Sequence, residues 1–600
     1  MMGWEAVFCL FVLALVFWGL VRNYASDALL LGALILVTAA GIITPNEALV
    51  GFSNAGMLTV GALYVVAAAL RETGALDIAG SWILGKAKTE RGVLLRMAGS
   101  VTGMSAFLNN TPIVAMFIPV VTEWCKKHRA EPSRLLIPLS YLSILGGTCT
   151  LIGTSTNLVV NGLMQEVSKA NPSLSQTLAP MGFFELGYVG VPYAVIGIVY
   201  LMFVGRRLLP SRKGFLEQLS ESSREYLVNM QVRPDCRLVG QRVQDAGLRQ
   251  LPGLFLMEIA REDEVISPVT PDQILRARDI LTFTGVVSTI VELERIPGLV
   301  PIPGDEPGTR VMPRRGRTLC EAVISPTCPS TEKTIRDSDF RALYNAVVVA
   351  AHRGGERLAG KVGDIILRPG DTLLLQTSPH FARANRNNPD FLLVSGVDDS
   401  RPVRHERTIA SLMLLLLLII LMVSGVVQIV VAAFLIAGLM VLTRCIRAAD
   451  ARRSIDWQTL LTIAAAFGLG KALVNSGLVP AVAKLSVGIT QGLGPYALLA
   501  GVYLMTTLFT ETVTNNAAAA LVFPFAVAIA GQVGANPRPF VMAVTFAASA
   551  SFMTPLGYQT NLMIYGPGGY RFTDFVRIGL PLNLILLTCA TILIPLAWPF

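Results

Sequence analysis

The sequence predicts a polytopic α-helical membrane protein. It reads as an inverted-topology repeat with two re-entrant hairpins, and two small cytosolic α+β domains are inserted in its central loop. Three observations predict this. Apolar runs long enough to cross a bilayer lie on both sides of a polar middle. Paired clusters of Asn, Thr and Gly interrupt apolar stretches some 403 to 406 residues apart. Matching loops in the two halves carry opposite charge bias.

Composition sets the class. Of 600 residues 53% are hydrophobic and only 15% charged, with a mean hydropathy of +0.58; a soluble chain would carry about 25% charged residues. The net charge of +9 is spread over loops beside apolar runs, which is topology-setting Lys and Arg rather than a nucleic-acid footprint. The eight cysteines form no CxxC and no ligand spacing, and four histidines give little basis for a His-based metal cluster. The opening Met-Met-Gly-Trp-Glu has no basic n-region or small-residue cleavage site, so the first apolar run is expected to be a retained span.

Spans are expected near 4–20, 27–43, 55–70, 135–164 and 186–204, then 408–424, 426–442, 457–475, 540–565 and 578–598. They fall into two halves, 1–205 and 405–600. The halves share Leu70-Arg-Glu-Thr-Gly-Ala-Leu76 opposite Leu473-Val-Asn-Ser-Gly-Leu478, Ser105-Ala-Phe-Leu-Asn-Asn-Thr-Pro112 opposite Thr510-Glu-Thr-Val-Thr-Asn-Asn516, and Gly153-Thr-Ser-Thr-Asn-Leu158 opposite Gly557-Tyr-Gln-Thr-Asn-Leu562. Similarity this spread out argues for an internal repeat.

Loop charge sets the relative orientation. Arg71, Lys86, Lys88 and Arg91 precede the first broken stretch, and Lys126, Lys127, Arg129 and Arg134 follow it. Both loops are therefore expected in the cytoplasm, and 93–121 should dip in and return on the same side. In the second half Arg444, Arg447, Arg452 and Arg453 fill the loop that corresponds to the nearly uncharged 44–54. The segments flanking 496–530, at 476–495 and 531–539, hold only Lys484 and Arg538, so this hairpin should enter from outside.

The middle is of another kind. Gly205-Arg-Arg-Leu-Leu-Pro-Ser-Arg-Lys213 is a basic juxtamembrane stretch that places it in the cytoplasm. It holds its own repeat, with Ile274-Leu-Arg-Ala-Arg-Asp279 lying 92 residues before Ile366-Leu-Arg-Pro-Gly-Asp371. Strand-like runs at 254–259 and 346–350, a polar turn and a following strand-like run suggest domains at 222–298 and 308–395, with 297–309 as linker. The Arg-rich 310–317, Pro326 and Pro329 read as linker chemistry, and no GxGxxG or Walker A sequence is present.

Asn, Thr and Gly at membrane depth are costly unless broken helices line a cavity. Secondary transporters build their sites in that way from paired repeats. Hard cations take oxygen ligands, anions take N–H donors and the positive ends of helix dipoles, and an Asn amide offers both kinds of group. A single Asn would more simply be an interhelical hydrogen bond; four matched clusters point to a site. Glu511 and Lys471 are ionisable residues inside apolar elements. Glu511 could tune a cation site, relay a proton or serve as a structural acceptor, whereas the long stem of Lys471 suits snorkelling to an interface.

The paired motifs, the two Thr-Asn-Leu segments and Tyr565-Gly-Pro-Gly-Gly569 resemble the divalent anion/sodium symporter family. The middle resembles the regulatory C-terminal domains of potassium-transport proteins (TrkA-C, or RCK-C). Together they resemble a branch that carries two such domains in the central loop and is associated with sulfate. The resemblance covers nearly the whole chain. In that family each hairpin tip carries Ser-Asn-Thr; here the tips read Asn109-Asn110-Thr111 and Thr514-Asn515-Asn516, keeping the central Asn and departing at the flanks. The resemblance implies one sodium near Ser105, Asn110 and Gly153 and a second near Thr510, Asn515 and Gly557. It implies an anion between the tips, touching Asn109, Asn110, Thr111, Thr154, Thr514, Asn515, Asn516 and Tyr558. Thr156, Asn157, Thr560, Asn561 and Glu511 are secondary candidates.

It further implies a non-enzymatic sodium symporter of a small divalent anion, most simply sulfate, in a bacterial inner (plasma) membrane, with lipid around it, sodium as coupling ion and a homodimeric assembly. The central domains would sense a small-molecule ligand or stabilise the dimer. The alternatives are a dicarboxylate, arsenite or sodium/proton carrier of the same fold, and an ion channel gated by the central domains. The channel reading lacks a TVGYG-type filter.

Overall fold

The computed structural model describes residues 3–600 apart from 23, 76–86, 88, 129, 211–226, 247, 249–253, 262–263, 267–268, 270–271, 286–297, 302–317, 354–355, 359–361, 379–380, 382–384, 386–387, 397–404, 490–493 and 556. Several expectations lie outside the described residues: the basic positions Lys86, Lys88, Arg129, Arg212 and Lys213, the starts of both central domains, and the linker from 302 to 317. The chain divides into two compact units, one formed by 1–212 with 400–600, the other by 213–399.

The first unit is helical. Its first half runs α1 (Trp4–Val21), α2 (Ser26–Ala39), α3 (Ala55–Glu72), α4 (Glu90–Ser105), α5 (Asn110–His128), α6 (Leu136–Gly147), α7 (Ser155–Ala170) and α8 (Gly187–Tyr200). The second half runs α9 (Thr408–Ser424), α10 (Ile429–Leu442), α11 (Trp457–Asn475), α12 (Leu478–Ile489), α13 (Gly494–Thr510), α14 (Asn515–Gln532), α15 (Pro537–Ser549), α16 (Gln559–Tyr565) and α17 (Phe572–Ala597). Among the described residues five helical segments are long and apolar enough to cross a membrane: 45–72, 187–205, 457–475, 515–532 and 572–597. This is an integral membrane protein.

Side-chain caps fix where several helices start. The Asn54 Oδ1 accepts from the Gly56 N–H at the head of α3, Thr89 Oγ1 from Gly92 at α4, Asp456 Oδ1 from Thr459 at α11, and Asn536 Oδ1 from Arg538 at α15. The helices pack in exchanged pairs: α2 lies on α11 while α3 lies on α10, and α7 lies on α14 while α5 meets α16. Pairs related by swapping the halves thus make the same contacts.

Two expected spans need correction. The stretches 135–164 and 540–565 are not continuous: the first breaks between Gly147 and Ser155, the second between Ser549 and Gln559. The breaks hold because one side chain satisfies two freed carbonyls. Asn157 Nδ2 donates to the carbonyls of Gly147 (3.0 Å) and Thr150 (2.8 Å), and Asn561 Nδ2 to those of Ser551 (3.0 Å) and Thr554 (3.2 Å). Two segments read as loops are also helical: 478–489 forms α12 after Gly477 turns at φ +77°, and Ala448–Arg453 forms a short helix within the basic loop. Lys471 is exposed on α11, as snorkelling requires.

The second unit contains two five-stranded antiparallel sheets. The first is β1 (Leu227–Val232), β2 (Leu254–Arg261), β3 (Glu264–Ile266), β4 (Ile280–Gly285) and β5 (Leu299–Pro301), in the order β3-β2-β4-β1-β5. The other is β6 (Thr318–Ile324), β7 (Val347–Arg353), β8 (Glu356–Arg357), β9 (Thr372–Thr377) and β10 (Phe391–Gly396), in the order β8-β7-β9-β6-β10. Strand for strand the order is the same. Leu299–Pro301, read from the sequence as linker, is the edge strand β5 and pairs with β1.

A buried clamp recurs in both sheets. Arg261 grips Asp279 through Nε and Nη2 at 2.8 Å each, and Arg353 grips Asp371 in the same way at 2.7 Å. Each guanidinium also donates to a carbonyl, of Ile274 or Ile366, and each carboxylate accepts a backbone N–H, from Arg276 or Arg368. Both carboxylates are fully buried. Bidentate pairing and the extra N–H are what make a charge tolerable there.

Candidate functional site

Four helices of the membrane unit begin at the two pairs of breaks: α5 at Asn110, α14 at Asn515, α7 at Ser155 and α16 at Gln559. Hydrogen bonds tie these starts together across the halves. The Asn110 amide donates to the Tyr558 hydroxyl, and the Thr154 and Tyr558 hydroxyls lie 3.1 Å apart. Ser155 and Thr156 donate to Asn516 Oδ1 at 3.1 and 3.2 Å, and Thr111 donates to Gln559 Oε1 at 3.2 Å. The Ser155–Asn516 and Thr111–Gln559 contacts are the same contact with the halves exchanged. Helix N-termini carry unpaired N–H groups and a partial positive charge, so a point where four converge favours an anion.

A cluster of oxygens sits beside the start of α5 and another beside the start of α14. Ser105 Oγ lies 2.5 Å from Asn110 Oδ1 and 2.7 Å from the Ser143 carbonyl. Thr510 Oγ1 lies 3.0 Å from Asn515 Oδ1 and 2.7 Å from the Ala548 carbonyl. A hydroxyl has one proton, so it cannot serve two acceptors at once. Lone pairs converging in this way suit a hard cation.

The glycines at the second breaks allow the chains to come this close. A Cβ on Gly153 would stand 2.6 Å from the Gly147 carbonyl oxygen and 2.9 Å from that of Ser105. On Gly557 it would stand 2.1 Å from Ser551 Oγ and 2.6 Å from the Thr510 carbonyl oxygen. Ser105, Asn110, Gly153, Thr154, Thr510, Asn515, Asn516 and Gly557 are all buried, while Asn109 and Thr111 are half-buried and Thr514 is exposed at the head of α14.

The secondary candidates separate by role. Thr156 joins Asn516 in the cross-half contact. Asn157 and Asn561 turn their amides into the breaks, and Ser140 donates within reach of Thr560 Oγ1 (2.9 Å) and Asn561 Oδ1 (2.7 Å). These three therefore brace the scaffold of the site. Glu511 is buried and takes N–H bonds from Phe552 (2.9 Å), Met553 (2.8 Å) and Thr554 (2.9 Å), a bond from Asn583 Nδ2 (3.0 Å) and one from Ser551 (3.2 Å). Of the readings weighed for it, the structural acceptor describes this geometry: the carboxylate gathers the donors of residues 551–554. Its counterpart, Ala106, lacks a carboxylate; there the Thr150 hydroxyl bonds only the backbone carbonyl.

A protein-family model described as a citrate transporter, CitMHS, matches residues 12–544. The chain belongs to the CitMHS citrate transporter family. A putative sulfur deprivation response regulator of Chlamydomonas reinhardtii is 36% identical to this CitMHS member, over 93% of this chain and 96% of the relative. Sodium/sulfate cotransporter 1 of the same alga is 26% identical, over 98% of this chain and 89% of its own length. Probable sodium/sulfate cotransporter 3 is 28% identical, over 92% and 84%. The resemblance to sodium-coupled anion symporters thus holds over nearly the full length, and this CitMHS protein is an anion transporter, not an enzyme.

Ser143, Ser155, Gln559 and Asn583 were missed as site residues from the sequence. Ser155 and Gln559 stand inside the matched motifs, one place after Thr154 and Tyr558, and equivalence alone would have paired them. Ser143 offers its carbonyl to Ser105, as Ala548 does to Thr510, a backbone contact that leaves no trace in residue type; its hydroxyl also donates to the Asn110 carbonyl at 3.4 Å.

Proposed function

We propose that the protein is a sodium-coupled symporter of a small divalent anion, sulfate, working by alternating access. The observation that carries this reading is the meeting of four helix N-termini in front of two oxygen clusters. Sodium ions occupy the Ser105–Asn110–Gly153 and Thr510–Asn515–Gly557 clusters and order the hairpin tips. The anion then binds between the tips on Asn109, Asn110, Thr111, Thr154, Thr514, Asn515, Asn516 and Tyr558. The names of the algal relatives support sodium and sulfate as cargo.

In this reading α4–α5 and α13–α14 are re-entrant hairpins entering from the cytoplasm and from outside, the two halves being inverted repeats in a bacterial inner membrane. The exchanged helix pairs support that arrangement. The central unit forms two TrkA-C-like domains, the first built on β1–β5 and the second on β6–β10, on the cytoplasmic side, acting as sensor of a small ligand or as support for a homodimer.

A carboxylate substrate is the second reading, favoured by the citrate description of the family model. Uptake of radiolabelled sulfate into proteoliposomes, challenged with excess unlabelled sulfate, succinate or citrate, separates the two. Sulfate uptake blocked only by sulfate supports the first reading. Succinate or citrate uptake without sulfate uptake overturns it.

A further inference from the structure

A cavity lies apart from the helix starts described above, where the start of α4 meets the segment that follows α8. It measures about 590 Å³, and the charged members of its lining are Arg91, Arg134 and Arg207 with Glu90 as the acidic one. Arg134 is already engaged, 3.6 Å from Glu90 and 3.0 Å from Glu131. Among the described residues no ion pair involves Arg91 or Arg207, and both are exposed. Two cationic side chains of this lining are therefore without an ion-pair partner among the described residues.

The rest of the lining is apolar: Leu94, Leu135, Met202, Phe203 and Leu209. Phe203 is 69% exposed on the span 187–205, and Leu95, next to Leu94, is 58% exposed. Large apolar side chains this open on a membrane span face hydrocarbon. Phe203 also belongs to a five-residue π-helical turn, Leu201–Gly205, a rare irregularity that recurs at functional sites. Cationic side chains at the start of α4 and just past the span 187–205, beside exposed apolar side chains, match an amphiphile with an anionic head. Free phosphate or sulfate would use the arginines but leave the apolar lining idle.

We propose that this cavity is a binding site for one anionic phospholipid, its phosphate held by Arg91 and Arg207 and an acyl chain laid along Leu94, Met202 and Phe203. Basic pockets between spans on the cytoplasmic side bind lipid head groups in this manner. Because α4 leads directly to the Ser105–Asn110 tip, an occupied site would also steady the base of the first hairpin.

The test uses the full chain in detergent, titrated with phosphatidylglycerol or with phosphatidylcholine of the same acyl chains, and read by native mass spectrometry. Each arginine contributes about a fivefold preference for an anionic head. Phosphatidylglycerol is thus expected to bind roughly 25-fold tighter than phosphatidylcholine, and the R91A/R207A pair to lose that preference. The R91K/R207K pair should keep most of it, which separates lost charge from lost fold. Equimolar inorganic phosphate should not displace the lipid. Equal binding of the two lipids, a full preference in R91A/R207A, or displacement by inorganic phosphate would overturn the proposal.

Discussion

Thr154 and Tyr558 stand 404 residues apart at equivalent places in the two halves, and their hydroxyl oxygens meet at 3.1 Å. The same Tyr558 hydroxyl accepts the Asn110 amide from the first hairpin tip. One phenol thus joins the break before α7, the break before α16 and the tip of α5. Replacing it by Phe leaves a buried amide without its acceptor, at a cost of about 1–2 kcal/mol. Y558F should lower sulfate uptake about tenfold at subsaturating substrate. In that background T154A should add little, and a double-mutant cycle on initial uptake rates reads the coupling.

Gly153 and Gly557 should tolerate no side chain. The added methyl would meet backbone oxygens at 2.6 Å in both halves, and backbone has little room to retreat. G153A and G557A are each expected to weaken sodium activation at least about tenfold, the loss typical of a site displaced by a fraction of an ångström. Sodium-dependent thermal stabilisation of the purified variants checks this. Undiminished stabilisation would mean that the oxygen clusters are not the cation sites.

Glu511→Gln keeps the size of the side chain but turns an NH₂ group towards donors. At least one of the Phe552, Met553 and Thr554 N–H groups loses its acceptor, costing about 2–3 kcal/mol. The unfolding temperature in sodium-free detergent should therefore fall by several degrees, independently of substrate. An unchanged unfolding temperature, with transport lost, would restore the cation or proton role that the sequence left open.

In the central unit, Arg353→Ala strands the fully buried Asp371 carboxylate, a loss of about 3–5 kcal/mol. Limited proteolysis of the full-length variant should cut within 318–396 much faster than in the wild type. Arg261→Ala should do the same within 227–301, because Asp279 is held in the same geometry. Wild-type cleavage rates in either variant would contradict the clamp's structural role.

Much of this architecture is legible in the chain because membrane depth exacts a cost for every freed backbone group. Asn, Thr and Gly clusters therefore mark helix breaks, and the tips at Asn110 and Asn515 follow from them. What the residues could not show was which side chains meet across the halves and which repair the breaks: Asn157 and Asn561 have the same residue type as site candidates but turn their amide N–H groups to the carbonyls of the breaks. The continuous spans expected at 135–164 and 540–565 failed for the same reason, since hydropathy averages over a short interruption. Contacts through the carbonyls of Ser143 and Ala548 leave no mark in residue type. Helix α12 escaped because its amphipathic run begins right after the Gly477 turn and resembles a loop.

Sodium dependence tests the central claim most directly. Initial rates of radiolabelled sulfate uptake into proteoliposomes would be measured across sodium concentrations for the wild type, N110A and N515A. Two oxygen clusters predict a sigmoidal sodium dependence, shifted to higher sodium in each variant by about tenfold for the lost ligand. Equal uptake in sodium and choline, or wild-type curves in both variants, would contradict it.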